Sequence, residues 1–411
     1  MEIIVQKYGG SSVADTTRIK SVAKRIKEKV NTGEAVVVVV SAMGDSTDKL
    51  LGLAHSVAKN PDARELDLLL STGEMISCSL IAMALQEIDI DAISMDGAQA
   101  GIRTDEAFGE ASIISLDPSH ILKQLASGKV VIVAGFQGVT EDLSTTTLGR
   151  GASDLTAVAL AASLKATCCE VYTDVEGIYT ADPRMVTNAS KISEIGYEEM
   201  LELASYGAKM QPRSIELAAR YNVPVLVASS TSNAEGTLIH DLSFKNKKDD
   251  QMEVRNKVSG VASEKGIARI TVRSVPDTPG VAASIFEPLS KAGISVDTIV
   301  QNASAERLTD LSFTVSQDDT SNAISIVQKI ATSIGAVEVV SDENLGNVSI
   351  VGTGMQNGTG FASTMFLALK NADVNIEMIT TSQIRITCIV DESRVEDAVI
   401  ALHDAFELDK G

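Results

Sequence analysis

Between Ile3 and Ser230 the chain returns repeatedly to short, unbroken apolar runs: IIVQK, AVVVVVSAMG, KVVIVAGF, CCEVYTDV and VPVLVASS, with helix-periodic stretches between them. A half-exposed strand alternates apolar and polar residues, and AVVVVV leaves no position for a solvent face. Such runs predict strands covered on both sides. Up to about Asp241 the pattern therefore specifies an α/β domain, a three-layer α/β/α arrangement around a mostly parallel sheet. Ligands of such sheets bind beyond the carboxyl ends of the strands. The polar and glycine residues fall there: Lys7, Gly9 and Gly10 after one run, Ser41 and Gly44 after another, then Gly135 and Gly138, then Thr173 and Asp174.

A second feature is the stretch GRGASDLTAVALAASLKA, Gly149 to Ala166, an alanine-rich helix with a polar, glycine-flanked entrance. Ser153 or Asp154 alone would serve as a cap. An arginine, a serine and an aspartate in one turn, with glycines that admit close approach, suit a bound anion. An ordinary capped helix after a glycine turn accounts for the stretch equally well.

With 411 residues the chain exceeds one ordinary core and calls for two or three units. A formal charge of −20 disfavours nucleic acid and acidic membranes as partners. No apolar run reaches a membrane span, and MEIIVQKYGG enters a strand without a signal-like segment, so a cytoplasmic protein is expected. Cys78, Cys168, Cys169 and Cys388 form no CxxC pair, which argues against structural zinc or a disulfide framework.

The charged segment KNKKDDQMEVRNK, 245–257, reads as a linker after a first domain of residues 1–244. Beyond it the chain repeats itself. PGVAASIFEPLSKAGISV aligns with TGFASTMFLALKNADVNI at an offset of 80, placing Phe286 on Phe366 and Leu289 on Leu369. Each copy reads strand, helix, strand, strand, helix, the order of a ferredoxin-like α+β sandwich. The first copy ends in a fourth strand, AVEVVSD, and the second ends without one. The unassigned run VSGVASE, 258–264, supplies the missing strand. The expected domains are 265–342 and, interlocked with it, 258–264 plus 343–411.

VQKYGGSS places a lysine at a strand end before two glycines, with no GxxxxGK[ST] loop anywhere, so any phosphate site is of a non-Walker kind. Together with SAMGDSTD, STGE at Ser71 to Glu74, GFQGVTEDLSTTTLGRGASD and TDVEGIYTADPR, it closely resembles the aspartate kinases of the amino-acid kinase family. The resemblance covers essentially the whole chain, and the repeats look like that family's paired ACT regulatory domains.

The resemblance implies transfer of the γ-phosphoryl group of ATP to the β-carboxylate of L-aspartate. This is the first step toward lysine, threonine, methionine and, in bacteria, diaminopimelate. A carboxylate nucleophile is already ionised at neutral pH and needs no general base; His55, His120, His240 and His403 all lie outside the motifs. What the reaction needs is alignment of two anions and neutralisation of spreading charge. By family correspondence Lys7 stabilises the transferring group beside the amides of Gly9 and Gly10, and Asp154 positions Lys7. Arg150 grips the α-carboxylate of aspartate, Glu74 pairs with its ammonium, and Ser41, Thr47 and Ser153 complete that site. Thr173, Asp174, Tyr179, Arg184 and Lys209 surround ATP. Mg²⁺ arrives with ATP, held by phosphates and waters and not by protein side chains.

The same resemblance implies feedback by lysine, threonine or both, at sites containing Asp277, Gly280, Gln301 and Asn302 in the first repeat and Asn375, Ile376, Thr381 and Ser382 in the second. The repeats are expected to pair between chains, in a homodimer or in an α2β2 assembly whose small subunit starts internally at Met252. Three departures stand out. KYGGSS replaces the usual phenylalanine and threonine; GRGASD has Ala152 where a glycine is usual, which requires a negative φ there; and QNGTGFAS lacks the proline-glycine turn of PDTPGVAA. Glutamate 5-kinase is the nearest enzymatic rival, and a catalytically silent amino-acid sensor is the rival from another class.

Overall fold

The computed structural model describes residues 2–242, 258–301, 308–356 and 358–410. The linker with Met252, and Asn302, lie outside the described residues. The chain forms two compact units, the first made of Met1–Ile178, Lys191–Ser205 and Lys209–Met252, the second of Tyr179–Ser190, Tyr206–Ala208 and Glu253–Gly411.

The first unit is a layered α/β structure. Its eight-stranded sheet runs, in spatial order, Glu194–Gly196, Thr237–His240, Val225–Ser229, Cys168–Thr173, Ile3–Tyr8, Ala35–Val40, Val130–Ala134 and Ala92–Met95. All neighbours are parallel except Val225–Ser229 with Thr237–His240, where the chain doubles straight back. Every residue of Ile3–Tyr8 and of Val130–Ala134 is buried, as the unbroken apolar runs require. Helix Thr16–Asn31 is capped by the Asp15 carboxylate, which accepts from the Arg18 N–H, and buries Ile19, Val22, Ala23 and Ile26 along one stripe. Those residues pack with Tyr8, Val36, Val38, Ile81 and Ile132 in the core on one face of the sheet.

On the other face lies helix Ser153–Leu164, buried nearly all round. A helix without a polar face belongs in an interior, and the alanine-rich sequence lets strands approach it closely. Among the described residues, helix Ala63–Gln86 is long and apolar enough to cross a membrane. Its buried stripe, however, carries Asp67, Ser71, Glu74 and Ser77, and Cys78, Ile81 and Leu85 pack in the core against the sheet.

The second unit is built on a six-stranded antiparallel sheet ordered Ile299–Gln301, Leu308–Ser316, Gly260–Pro276, Glu338–Val351, Arg385–Asp391 and Met378–Thr381. Its two central strands are long enough to serve both repeats. Gly260–Lys265 pairs with Gly346–Val351, which in turn pairs with Arg385–Asp391; Arg269–Arg273 pairs with Glu338–Asp342 and with Thr314–Leu311 on its other edge. Register shifts between Lys265 and Arg269 separate the two halves. Helices Val281–Lys291 and Thr320–Ile334 share one core with Ile270 and Phe313, and helices Phe361–Asn371 and Val395–Ala405 share another with Val348 and Val390.

Two segments of residues 1–244 cluster with the second unit, the short Tyr206–Ala208 and the longer Tyr179–Ser190. For the longer one the cause is apolar: Ala181 and Val186 are buried in the core of the second repeat, with Met185 and Ala189 packed against it.

Candidate active site

Lys7 lies near the end of strand Ile3–Tyr8, and its alternation with Tyr8 turns it toward helix Ser153–Leu164. Its Nζ stands 2.6 Å from Asp154 Oδ1, with both side chains about nine-tenths buried. Gly9 follows, its N–H donating to Tyr172 O at 3.2 Å. Gly10 comes so near the next strand end that a Cβ there would sit 2.8 Å from Ala42 O, which excludes any other residue without backbone movement. The Gly44 N–H donates to Gly10 O at 3.1 Å, tying the two strand-end loops together.

Glu74 comes from the buried stripe of helix Ala63–Gln86. Its Oε1 accepts the Ala42 N–H at 3.0 Å. Its Oε2 is buried and meets no hydrogen-bond partner among the described residues. Burial pushes the Glu74 carboxyl up to about 7, more than its backbone hydrogen bonds pull it down. Gly73 beside it would bring a Cβ to 2.9 Å from Ala42 Cβ, so the small residue lets helix and loop close on each other. Thr47 stands half-buried in the first turn of helix Ser46–Val57, and Ser41 donates its N–H to Tyr8 O at 3.1 Å.

The turn into helix Ser153–Leu164 places Arg150 between Gly149 at φ +89° and Gly151 at φ +74°. Ala152 occupies the cap position at φ −73°, the negative value its Cβ requires. The capping expected of Ser153 or Asp154 is absent: no side chain caps this helix, because the Asp154 carboxylate is turned to Lys7. The helix entrance therefore combines a buried ion pair, a buried Ser153 and an exposed Arg150. Next to it Phe136 holds φ +69°, rare for a bulky residue, steadied by its N–H donating to Thr156 Oγ1 at 3.2 Å.

Thr173 ends strand Cys168–Thr173, and Lys209 Nζ bridges both carboxylate oxygens of Asp174 at 2.9 Å. That contact holds the Asp174 carboxyl below its ordinary range. Tyr179 and Arg184 belong to the second unit, on the segment 179–190. Among the effector candidates, Asp277 is exposed ahead of Gly280, which caps its helix at φ +96°. Gln301 is exposed at the end of its strand. Asn375 Nδ2 donates to Glu377 Oε1 at 2.8 Å, Ile376 packs against the second repeat's core, and Thr381 and Ser382 are exposed. Gly360 repeats the Gly280 geometry at φ +100°, so the second repeat keeps the turn without the proline.

Two supporting residues escaped the sequence reading. Asp67 is almost fully buried and accepts from the Gly109 N–H, the Thr147 N–H and Thr147 Oγ1. Arg213 donates to Leu148 O at 2.8 Å and Ala111 O at 3.0 Å. Both anchor the backbone leading into Gly149. The available signal was spacing: Asp67, Leu70, Glu74, Ile81 lie on one helical stripe.

A layered sheet with a lysine and paired glycines at a strand end, facing a helix entrance, is the arrangement of the amino acid kinase family, whose model matches residues 2–229. The ACT domain model matches residues 270–330 and 348–406. The chain belongs to the amino acid kinase family, as a kinase of the aspartate kinase type with tandem ACT domains. It is 47% identical to an aspartokinase of Pseudomonas aeruginosa, over 100% of this chain and 98% of that protein. It is 45% identical to aspartokinase 2 of Bacillus subtilis, over 100% and 99%. Among solved structures, E. coli aspartokinase III with aspartate and ADP superposes with a TM-score of 0.83 at 28% identity, covering 98% of this chain and 99% of that one.

Proposed function

We propose that the chain phosphorylates the β-carboxylate of L-aspartate with ATP, giving 4-phospho-L-aspartate, in the cytoplasm and under feedback control through its ACT repeats. One observation carries this reading. A buried lysine held by Asp154 stands at the glycine loop, and a buried carboxylate with an open oxygen, Glu74, reaches from helix Ala63–Gln86 to the neighbouring loop at Ala42. The first suits the charge of a transferring phosphoryl group; the second suits an ammonium. The E. coli aspartokinase III structure holds aspartate and ADP, the acceptor substrate and the nucleotide product of this reaction, which supports the reading.

In this reading Lys7 draws charge from the γ-phosphoryl oxygens as the bond to the β-phosphate lengthens. Asp154 fixes the ammonium's place, so it needs no rearrangement as charge develops. Arg150 forks onto the α-carboxylate of aspartate, Ser41, Thr47 and Ser153 complete the cradle, and Glu74 takes the ammonium. Thr173, Asp174, Tyr179, Arg184 and Lys209 serve the nucleotide. Mg²⁺ supplies charge neutralisation on the phosphates.

We place the catalytic domain at 1–244 and the two ACT domains at 265–342 and at 258–264 plus 343–411. The chains assemble at least as dimers, with lysine or threonine as effectors. An ADP-release assay with L-aspartate against L-glutamate tests the activity. Release with aspartate alone supports the assignment, and release with glutamate alone, or with neither, rejects it.

A further inference from the structure

His403, on helix Val395–Ala405, is the one histidine of this chain with no exposed surface. Its Nε2 lies 2.9 Å from Thr180 Oγ1, and its Nδ1 is buried with no hydrogen-bond partner among the described residues. Thr180 is saturated: its N–H donates to Ser190 O at 2.9 Å, its Oγ1 accepts the Ser190 N–H at 2.9 Å, and its carbonyl accepts the Val261 N–H at 2.7 Å. Ser190 Oγ donates onward to Asp409 O at 3.2 Å. An imidazolium needs two acceptors and the described residues offer one, which favours the neutral ring. Burial lowers the His403 pKa in the same direction, against the opposing pull of Asp404 and Asp409.

The geometry therefore ties one end of the segment 179–190 to the last helix and the other to Asp409 just past it, while Ala181 and Val186 anchor its middle in the second repeat's core. Tyr179 and Arg184 lie on that segment. We infer that His403 is a positioning residue for nucleotide binding, holding Tyr179 and Arg184 in place through the Thr180 hydroxyl. The inference rests on the reading that those two residues serve ATP. A histidine with a purely structural role would alter stability and leave the Michaelis constants alone. A positioning histidine alters the constant for ATP and spares that for aspartate.

The test is steady-state kinetics on the full-length enzyme with ATP and aspartate varied in turn, and thermal melts confirming that each variant folds. His403→Phe keeps the ring volume and removes the hydrogen bond. Its KM for ATP should rise at least about fivefold, with kcat and the KM for aspartate within about twofold of the parent. His403→Gln, which restores an amide near Nε2, should recover most of that loss. Should His403→Phe fail to fold, Thr180→Val is measured, with the same ATP-selective rise expected. Arg184→Ala separates the two layers of the argument. If it raises the KM for ATP while the His403 and Thr180 variants do not, the positioning role is overturned and the nucleotide reading stands. If Arg184→Ala and Tyr179→Phe both leave the KM for ATP at the parent value, the nucleotide reading fails and takes the inference with it.

Discussion

The residues assigned to catalysis and those assigned to effector binding sit in opposite environments. Lys7, Glu74 and Asp154 are all more than nine-tenths buried, each at the end of a strand or on a helix packed against the sheet. Asp277, Gln301, Thr381 and Ser382 are exposed at turns and strand ends. A buried charge must have its counter-charge built in or supplied by a ligand, since an uncompensated one is strongly destabilising. Lys7 and Asp154 compensate each other at 2.6 Å; Glu74 has only the Ala42 N–H and an elevated pKa. The catalytic unit is thus preorganised except where the substrate's ammonium is proposed to enter. The exposed effector candidates have no such enclosure; pairing of repeats between chains would provide one.

The sharpest test of the buried set is Lys7→Ala. It strands Asp154 and removes the charge opposite the transferring group, so kcat should fall by roughly a thousandfold or more while the far-ultraviolet spectrum is retained. Turnover within about threefold of the parent would remove Lys7 from the mechanism.

Glu74→Gln comes next and carries a pH signature. The Glu74 carboxyl, raised from the ordinary 4.5 to about 7, loses its charge in the free enzyme as pH falls through about 7. The parent's kcat/KM for aspartate should decline through that range, and the Gln variant should be low, by about a hundredfold, and flat. Stability runs the other way. A carboxyl whose folded pKa is raised contributes stability below about 4.5 that is lost as pH rises to about 7. The ligand-free Gln variant should therefore match the parent in urea denaturation at low pH and exceed it above pH 7, by about 3 kcal/mol at most. Superimposable pH profiles for the two proteins would mean that Glu74 does not ionise in the working range.

Arg150 is the exception within the catalytic set, being exposed on a turn between two left-handed glycines. Arg150→Lys keeps the charge and loses the fork, so the KM for aspartate should rise about tenfold and that for ATP change little. Equal rises in both constants would place Arg150 outside the aspartate site.

The environments also explain what could be read from the amino-acid order. AVVVVV and KVVIVAGF announced fully covered strands because a continuous apolar run has one stable destination. Lys7, Gly9 and Gly10 could be located because a strand end before paired glycines is a local pattern. Asp67 was legible only through its spacing to Leu70 and Glu74 on one helical stripe. In RELDLLL it looks like an ordinary surface charge, and its partners at Gly109 and Thr147 are distant in sequence. The assignment of 179–190 to the second unit was hidden for the same reason. Ala181 and Val186 show no periodicity of their own, and only the assembled core reveals why they are apolar. The φ of Phe136 leaves no trace in residue type at all, because the fold imposes it against local preference.

The smallest effect on turnover is expected at the exposed set, and it gives the finest test of the contrast. Asp277 precedes the turn at Gly280, where the amides opening helix Val281–Lys291 can take an amino acid's carboxylate while the aspartate takes its ammonium. At the 80-residue offset Asn357 replaces this aspartate, while Gly360 keeps the positive φ of Gly280, so the repeats differ in charge at that position. Asp277→Ala should leave uninhibited kcat and both Michaelis constants within about twofold of the parent, since an exposed side chain at a turn contributes little to the fold. Inhibition by lysine or threonine should weaken by about tenfold in effector concentration, the loss expected for one charge-assisted contact. Inhibition curves measured with each amino acid singly and together check this. A mutant curve superimposed on the parent's would place the effector elsewhere, and a loss of uninhibited turnover would mean that the exposed and buried sets are not separable.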